Sequence, residues 1–143
     1  MISQTAEYAL RAIAYLAKHH DEPVTTQQIA AATELPAGYL AKIMQNLSRS
    51  RLVRSRPGRN GGFVLLKLPA ELSALDVINA VDPFQRVHEC PLLLDTHQEH
   101  LCVLHAGINQ ATDAVEALFG EMTIAELIKK PRATSNRCSF PSP

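Results

Sequence analysis

No apolar stretch in this 143-residue chain approaches the roughly 20 residues that a membrane-spanning helix needs, so no membrane-spanning helix is expected. The first residues, "MISQTAEYALRA", lack a basic region followed by an apolar one; no secretory leader is predicted, and the expected location is the cytoplasm. Cysteine is scarce and odd in number, three in all. That argues against a disulfide framework in a reducing compartment and leaves thiols free for metal or redox chemistry. Cys102 and His105 stand three apart, a spacing a nucleophile and its base could use. No orienting third residue, Gly-rich phosphate loop or oxyanion signature accompanies them, so the chain is not expected to be an enzyme.

The most telling absence is local. No carboxylate occurs between Glu34 and Glu71, whereas Lys42, Arg49, Arg51, Arg54, Arg56, Arg59 and Lys67 all fall in that interval. The formal net charge of zero therefore conceals two unlike halves: residues 1–68 hold nine Lys/Arg against four Asp/Glu, and residues 69–143 hold five against ten. A basic interval of this kind is either a solvated face or a surface for a polyanion. Local structure decides between them.

Ala6, Leu10, Ile13, Ala14 and Ala17 recur at helical spacing and predict a helix over 4–19, stopped by Asp21-Glu22-Pro23. Thr25 with Gln28 three residues on fits a capping box that opens a short helix, "TQQIAAAT". After a turn through Glu34-Leu35-Pro36, Leu40, Ile43, Met44 and Leu47 mark the buried face of a third helix. Its opposite face carries Gly38, Lys42, Gln45 and Arg49, with Tyr39 beside its N-terminus. Two helices joined by a tight turn make a helix-turn-helix, whose second helix can enter the major groove. "LVRSR" and "FVLLKL" then predict two strands joined by "SRPGRNGG", a turn whose glycines bend freely and whose arginines suit phosphates and narrow grooves. The predicted class is mainly α: a winged helix-turn-helix of three helices plus a β-hairpin wing. Arg54, Arg56, Arg59, Asn60 and Gly61 become the candidate wing contacts to double-stranded DNA, beside Gly38, Tyr39, Lys42, Gln45 and Arg49 on the recognition helix. A protein-interaction module of the same shape is the rival reading.

Farther on, Ser73 and Asp76 cap a helix running to about Val81, closed by Asp82-Pro83. Leu104, Ile108, Ala111, Val115 and Leu118 alternate steps of four and three, the pattern of a coiled-coil-like seam or of a simple core helix. Gly120 is expected to end that long helix, and Thr123 with Glu126 to cap one more short helix. The expected organisation is a winged-helix domain with its following helix over 1–82, a Cys/His-containing loop over 83–102, a long helix and a short C-terminal helix over 103–130, and a polar, Pro-rich, flexible tail over 131–143.

The segments "EYALRAIAYLA", "TTQQIAAATELPAGYLAKIMQNLSRSRLVRSRPGRNGGFVL" and "SALDVINAVD", with the Cys-containing stretch from 90 to 105, resemble the Rrf-two family of winged-helix bacterial regulators, of the IscR and NsrR type. The resemblance covers most of the chain. It implies a homodimeric transcription factor, usually a repressor, on a pseudo-palindromic operator, with the helix from 103 as the dimerisation helix.

In cluster-binding members of that family three cysteines are each separated by five residues, and in one type a histidine follows three positions after the last. Here Cys90, Cys102 and His105 match, and Thr96 stands at the middle position. By resemblance these residues imply an iron–sulfur site that senses redox state, cluster status or nitric oxide, with an atypical ligand set. Glu7, which precedes "YALR" as an aspartate does in nitric-oxide-sensing members, is a further candidate ligand, from the partner subunit. The residues themselves leave four readings open: a mixed-ligand cluster, another metal such as zinc, a thiol switch, or no cofactor. Thiolate and imidazole suit both iron–sulfur clusters and zinc.

Overall fold

Ser3 starts the first helix by accepting the Ala6 amide on its hydroxyl at 3.2 Å, and α1 (Gln4–Lys18) then buries Ala6, Leu10, Ile13, Leu16 and Ala17 along one face. The computed structural model that places it describes residues 2–89 and 101–129. The Thr25–Gln28 capping box forms as its spacing predicts and opens α2 (Thr26–Thr33). Glu34 takes φ 55°, and the Leu35 amide reaches back to the Ala30 carbonyl at 3.2 Å. This is the tight turn of the helix-turn-helix, made by a glutamate where glycine has the lower backbone cost. In α3 (Ala37–Arg49) Leu40, Ile43, Met44 and Leu47 are all buried.

The exit from α3 is a Schellman turn. The Leu52 amide donates to the Leu47 carbonyl and the Arg51 amide to the Ser48 carbonyl, both at 3.0 Å, with Arg51 itself at φ 57°. Leu47 and Leu52 close it by being buried together. The chain continues into β1 (Val53–Arg56), antiparallel to β2 (Gly62–Leu65) in the register Val53 to Leu65 and Arg56 to Gly62. The second strand is shorter than the apolar run through Leu68 predicts. Beyond Leu65 only the Leu66 amide still pairs, with the Leu52 carbonyl, and Leu66 and Leu68 turn to solvent. On the other edge of β2, Phe63 exchanges two backbone hydrogen bonds with Val24, at 2.8 and 3.0 Å.

Ser73 and Asp76 cap α4 (Ala74–Val81), which lies against α1 and α3. The long helix α5 (Val103–Glu121) runs past Gly120. It stops where Met122 becomes extended so that its carbonyl can accept the Ala74 amide at 2.8 Å. Helix α6 (Ile124–Leu127), capped by Thr123 and Glu126, returns to the body of the winged helix: Ile124 is fully buried, and its amide donates to Leu72 at 2.8 Å. One core thus joins α1 to α4, the hairpin and α6. Each large aliphatic side chain in it contributes about 1.5–3 kcal/mol of burial.

Candidate nucleic-acid interface

The helical period that buries Leu40, Ile43, Met44 and Leu47 turns Gly38, Lys42, Gln45 and Arg49 outward, and all four are exposed. Pro36 stands at the N-cap and supplies no side-chain acceptor, so the first amides of α3 are left for water or an anion. A Cβ added at Gly38 meets nothing within 4 Å, which leaves the start of the helix open to close approach.

The wing carries its cations on an exposed edge. Arg54 and Arg56, two residues apart in β1, share one face, and the loop between the strands holds Arg59 and Asn60 in solvent. The loop depends on its glycines. Gly58 sits at φ 106°, and a Cβ at Gly61 would lie 2.2 Å from the Arg56 carbonyl oxygen. Among the described residues none of Lys42, Arg49, Arg51, Arg54, Arg56, Arg59 and Lys67 has a carboxylate partner. The carboxylate gap of the sequence is thus an unpaired basic surface over α3 and the wing.

Tyr39 has a second attachment that helical spacing does not reveal. Its hydroxyl shares a short hydrogen bond with the Thr5 hydroxyl, and its ring meets Tyr8 edge-on, centroids 5.8 Å apart at 83°. Gln4 Nε2 donates to the Tyr8 hydroxyl at 2.7 Å. The N-terminal turn of α1 therefore abuts the N-terminal turn of α3. Gln4, Thr5 and Tyr8 were not among the sequence candidates, because nothing local links them to a residue more than thirty positions away.

Residues 2–130 match the family model described as "Rrf2: Iron-dependent Transcriptional regulator". The chain belongs to the Rrf2 family. It is 31% identical over 131 residues to a protein of Aquifex aeolicus (strain VF5) provisionally named an HTH-type transcriptional regulator, covering 90% of this chain and 91% of that one. It is 28% identical to the HTH-type transcriptional regulator NsrR of Geobacillus kaustophilus, covering 90% and 89%. Among solved structures it is similar to CymR, the global cysteine regulator of B. subtilis, at TM-score 0.71 and 27% identity over 89% of this chain and 95% of that one. The fold also matches T. potens IscR at TM-score 0.76 and 22% identity, covering 96% and 93%. The protein is a DNA-binding transcriptional regulator and not an enzyme. No helix among the described residues is long and apolar enough to cross a membrane.

In this Rrf2 chain Cys102 is the N-cap of α5, and its Sγ lies 3.4 Å from His105 Nδ1, one turn on. Cys90, Thr96 and Cys138 lie outside the described residues. Glu7, the remaining candidate, accepts on its Oε1 from Arg11, from Nη2 at 2.8 Å and from Nε at 3.2 Å. Among the described residues no three His, Cys, Asp or Glu side chains gather as a metal site.

Among the described residues, helix α5 meets its own chain along one side. Phe119 stacks on Phe84, centroids 6.2 Å apart. Arg86 pairs with Asp113 at 2.6 Å and also with Glu116; the hydrogen bonds to Asp113 and then Glu116 hold its guanidinium above its ordinary pKa. None of the nineteen residues of α5 is buried. On the seam read from the sequence, Leu104 is 68% exposed, Leu118 58% and Ile108 43%, and Ala111 is exposed with Val115 half-buried.

Proposed function

We propose that the protein acts as a homodimeric repressor on a pseudo-palindromic operator, with α3 in the major groove and the wing tip on the adjoining backbone or minor groove. One observation carries the dimer: a helix of nineteen residues with no buried residue and an open apolar stripe. An isolated helix of that length is marginal in water and needs an amphipathic face packed against something. A second copy of the same stripe supplies a closed two-fold contact, and a two-fold dimer presents two recognition helices to two half-sites one helical turn apart. In this reading Lys42 and Gln45, exposed on α3, read base edges, and Arg54, Arg56 and Arg59 with Asn60 and Gly61 hold the backbone.

The Cys/His stretch is the sensory part of this proposal. Cys102 and His105 stand side by side, a thiol and an imidazole, donors of the kind iron and zinc accept. Cys90, and Glu7 from the partner subunit, complete the candidate ligand set. An iron–sulfur cluster held there would supply a redox-sensitive bridge between the loop and α5, and it would alter operator affinity only through unequal affinity for the two arrangements of the dimer.

The test has two parts. Shift assays with genomic fragments and sedimentation should give a DNA-binding dimer; a monomer, or a dimer that retains no fragment, overturns the operator model and favours the protein-interaction module. Anaerobic reconstitution with iron and sulfide should then give visible absorption in the wild type that Cys90→Ala and Cys102→Ala lose. If the wild type stays colourless and all three bind DNA equally with and without oxidant, the protein is a regulator without a cluster or thiol switch.

A further inference from the structure

A polar cleft of about 320 Å³ opens beside the recognition helix, where the start of α1, one side of α3 and the end of α4 meet. Lys42 and Asn46 enter it from α3, Asp82 from the end of α4, and the hydroxyls of Thr5 and Tyr39 close one side. Ile43 and Val81 add its apolar surface. No ion pair joins Lys42 to Asp82 among the described residues, so the cleft holds a cation and a carboxylate that do not satisfy one another. The negative end is reinforced. Asp82 is the C-cap of α4, where the free carbonyls of the last turn add to its charge. From α3, Lys42 and the Asn46 amide offer N–H donors to the same cleft.

We infer that this cleft binds a free α-amino acid. Its carboxylate would meet Lys42 and Asn46, its ammonium Asp82 and the end of α4, and a short uncharged side chain would rest on Ile43 and Val81. The volume lies at the lower end of the range for small-ligand sites, which fits a compact zwitterion and not a nucleotide. Charge discriminates further. A dicarboxylate would place its second anion against Asp82, and a diamine would place its second cation against Lys42. Such mismatches cost more than the absence of a contact.

A ligand there touches α1, α3 and α4 together, so it acts directly on the posture of the recognition helix. Its effect on DNA rests on the reading of Lys42 as a DNA contact: the amino acid and the operator compete for one ammonium, and by linkage each weakens the other equally. Operator affinity should fall about tenfold at saturation, within the usual range of such couplings.

The experiment uses the full chain and the common α-amino acids one by one, with succinate and putrescine as single-sign controls, each up to about 10 mM so that even millimolar affinity registers. Thermal shift and calorimetry should detect at least one amino acid and neither control. In the wild type, amide chemical-shift changes should centre on Thr5, Ile43, Asn46, Val81 and Asp82. Asp82→Asn and Asn46→Ala should each lower the affinity at least tenfold while DNA binding in the absence of ligand is retained. Failure of every amino acid to bind a wild type that still binds operator overturns the inference without touching the DNA reading. Equal binding of succinate or putrescine, or shifts centred elsewhere, overturns it as well, even if the variants prove unfolded.

Discussion

Asn109 and the backbone of Val87 hold one another twice: the side-chain Nδ2 donates to the Val87 carbonyl at 2.8 Å, and the Val87 amide donates to Oδ1 at 2.9 Å. An asparagine amide paired in this way imitates a strand neighbour and pins the segment after α4 to the middle of α5. Arg86 with Asp113 and Glu116, and Phe84 with Phe119, add a charged and an apolar contact to the same junction. Asn109→Ala should leave both Val87 groups without their partner, a cost of about 1–3 kcal/mol where water cannot replace it. Hydrogen exchange at the Val87 amide should accelerate markedly, while amides of α1 and α3 keep their protection. Uniform loss of protection would mean that the junction does not open by itself.

The wing and the recognition helix should fail differently. Arg56→Ala and Arg59→Ala should weaken binding across sequences, and each should reduce the salt slope by about one unit for a lost phosphate contact. Gln45→Ala and Lys42→Ala should relax specificity at particular base pairs instead. Titrations of operator and scrambled DNA over a series of salt concentrations separate the two outcomes.

A charge on the exposed stripe of α5 should dissociate the dimer. Ile108→Asp or Val115→Asp would bury an unpaired carboxylate at a cost of several kcal/mol. The monomeric winged helix should remain folded, because its core draws nothing from that stripe. Sedimentation equilibrium should show a monomer, and operator affinity should drop to that of a single half-site. A variant that sediments as a dimer places the interface elsewhere.

Arg51 occupies a left-handed position in the Schellman turn, φ 57°. Arg51→Gly should therefore raise stability by about 0.5–1 kcal/mol, by removing the Cβ penalty. Arg51→Ala keeps that penalty and should show no such gain. Urea midpoints at constant slope measure the difference.

Acid should loosen the cap of α6. The backbone hydrogen bond from Thr123, followed by its hydroxyl, holds the Glu126 carboxyl below its ordinary value of 4.5. A depressed folded-state value means that the contribution is fully present above the ordinary value and is lost as pH falls through the depressed one. Glu126→Gln keeps a side-chain acceptor without that titration. Its thermal midpoint should fall less than that of the wild type across this acidic window, and parallel curves would remove Glu126 from the account.

Signals that act within three or four residues were legible in the sequence. The capping boxes of Thr25–Gln28, Ser73–Asp76 and Thr123–Glu126 formed where their spacing placed them. The period of Leu40, Ile43, Met44 and Leu47 told the buried side of α3 from its exposed side. The carboxylate gap showed the basic surface because charges with no opposite partner nearby in the chain stay unpaired unless folding brings one, and none of the described carboxylates arrived.

Tertiary structure alone decided what depends on distant neighbours. Glu34 and Arg51 accept left-handed backbone because the turns that join α2 to α3 and α3 to the wing must close over a shared core, a constraint that outweighs residue preference. Helix α6 returns to Leu72, and α5 passes Gly120, because the Met122 and Ile124 pairings satisfy backbone groups that no local signal specifies. The two sides of α5 differ only in what meets them. Asn109, Glu116 and Phe119 face the chain's own segment from 84 to 87, and Leu104, Ile108 and Leu118 face outward, because hydrophobic periodicity states that a helix has a face to bury and not which molecule will cover it.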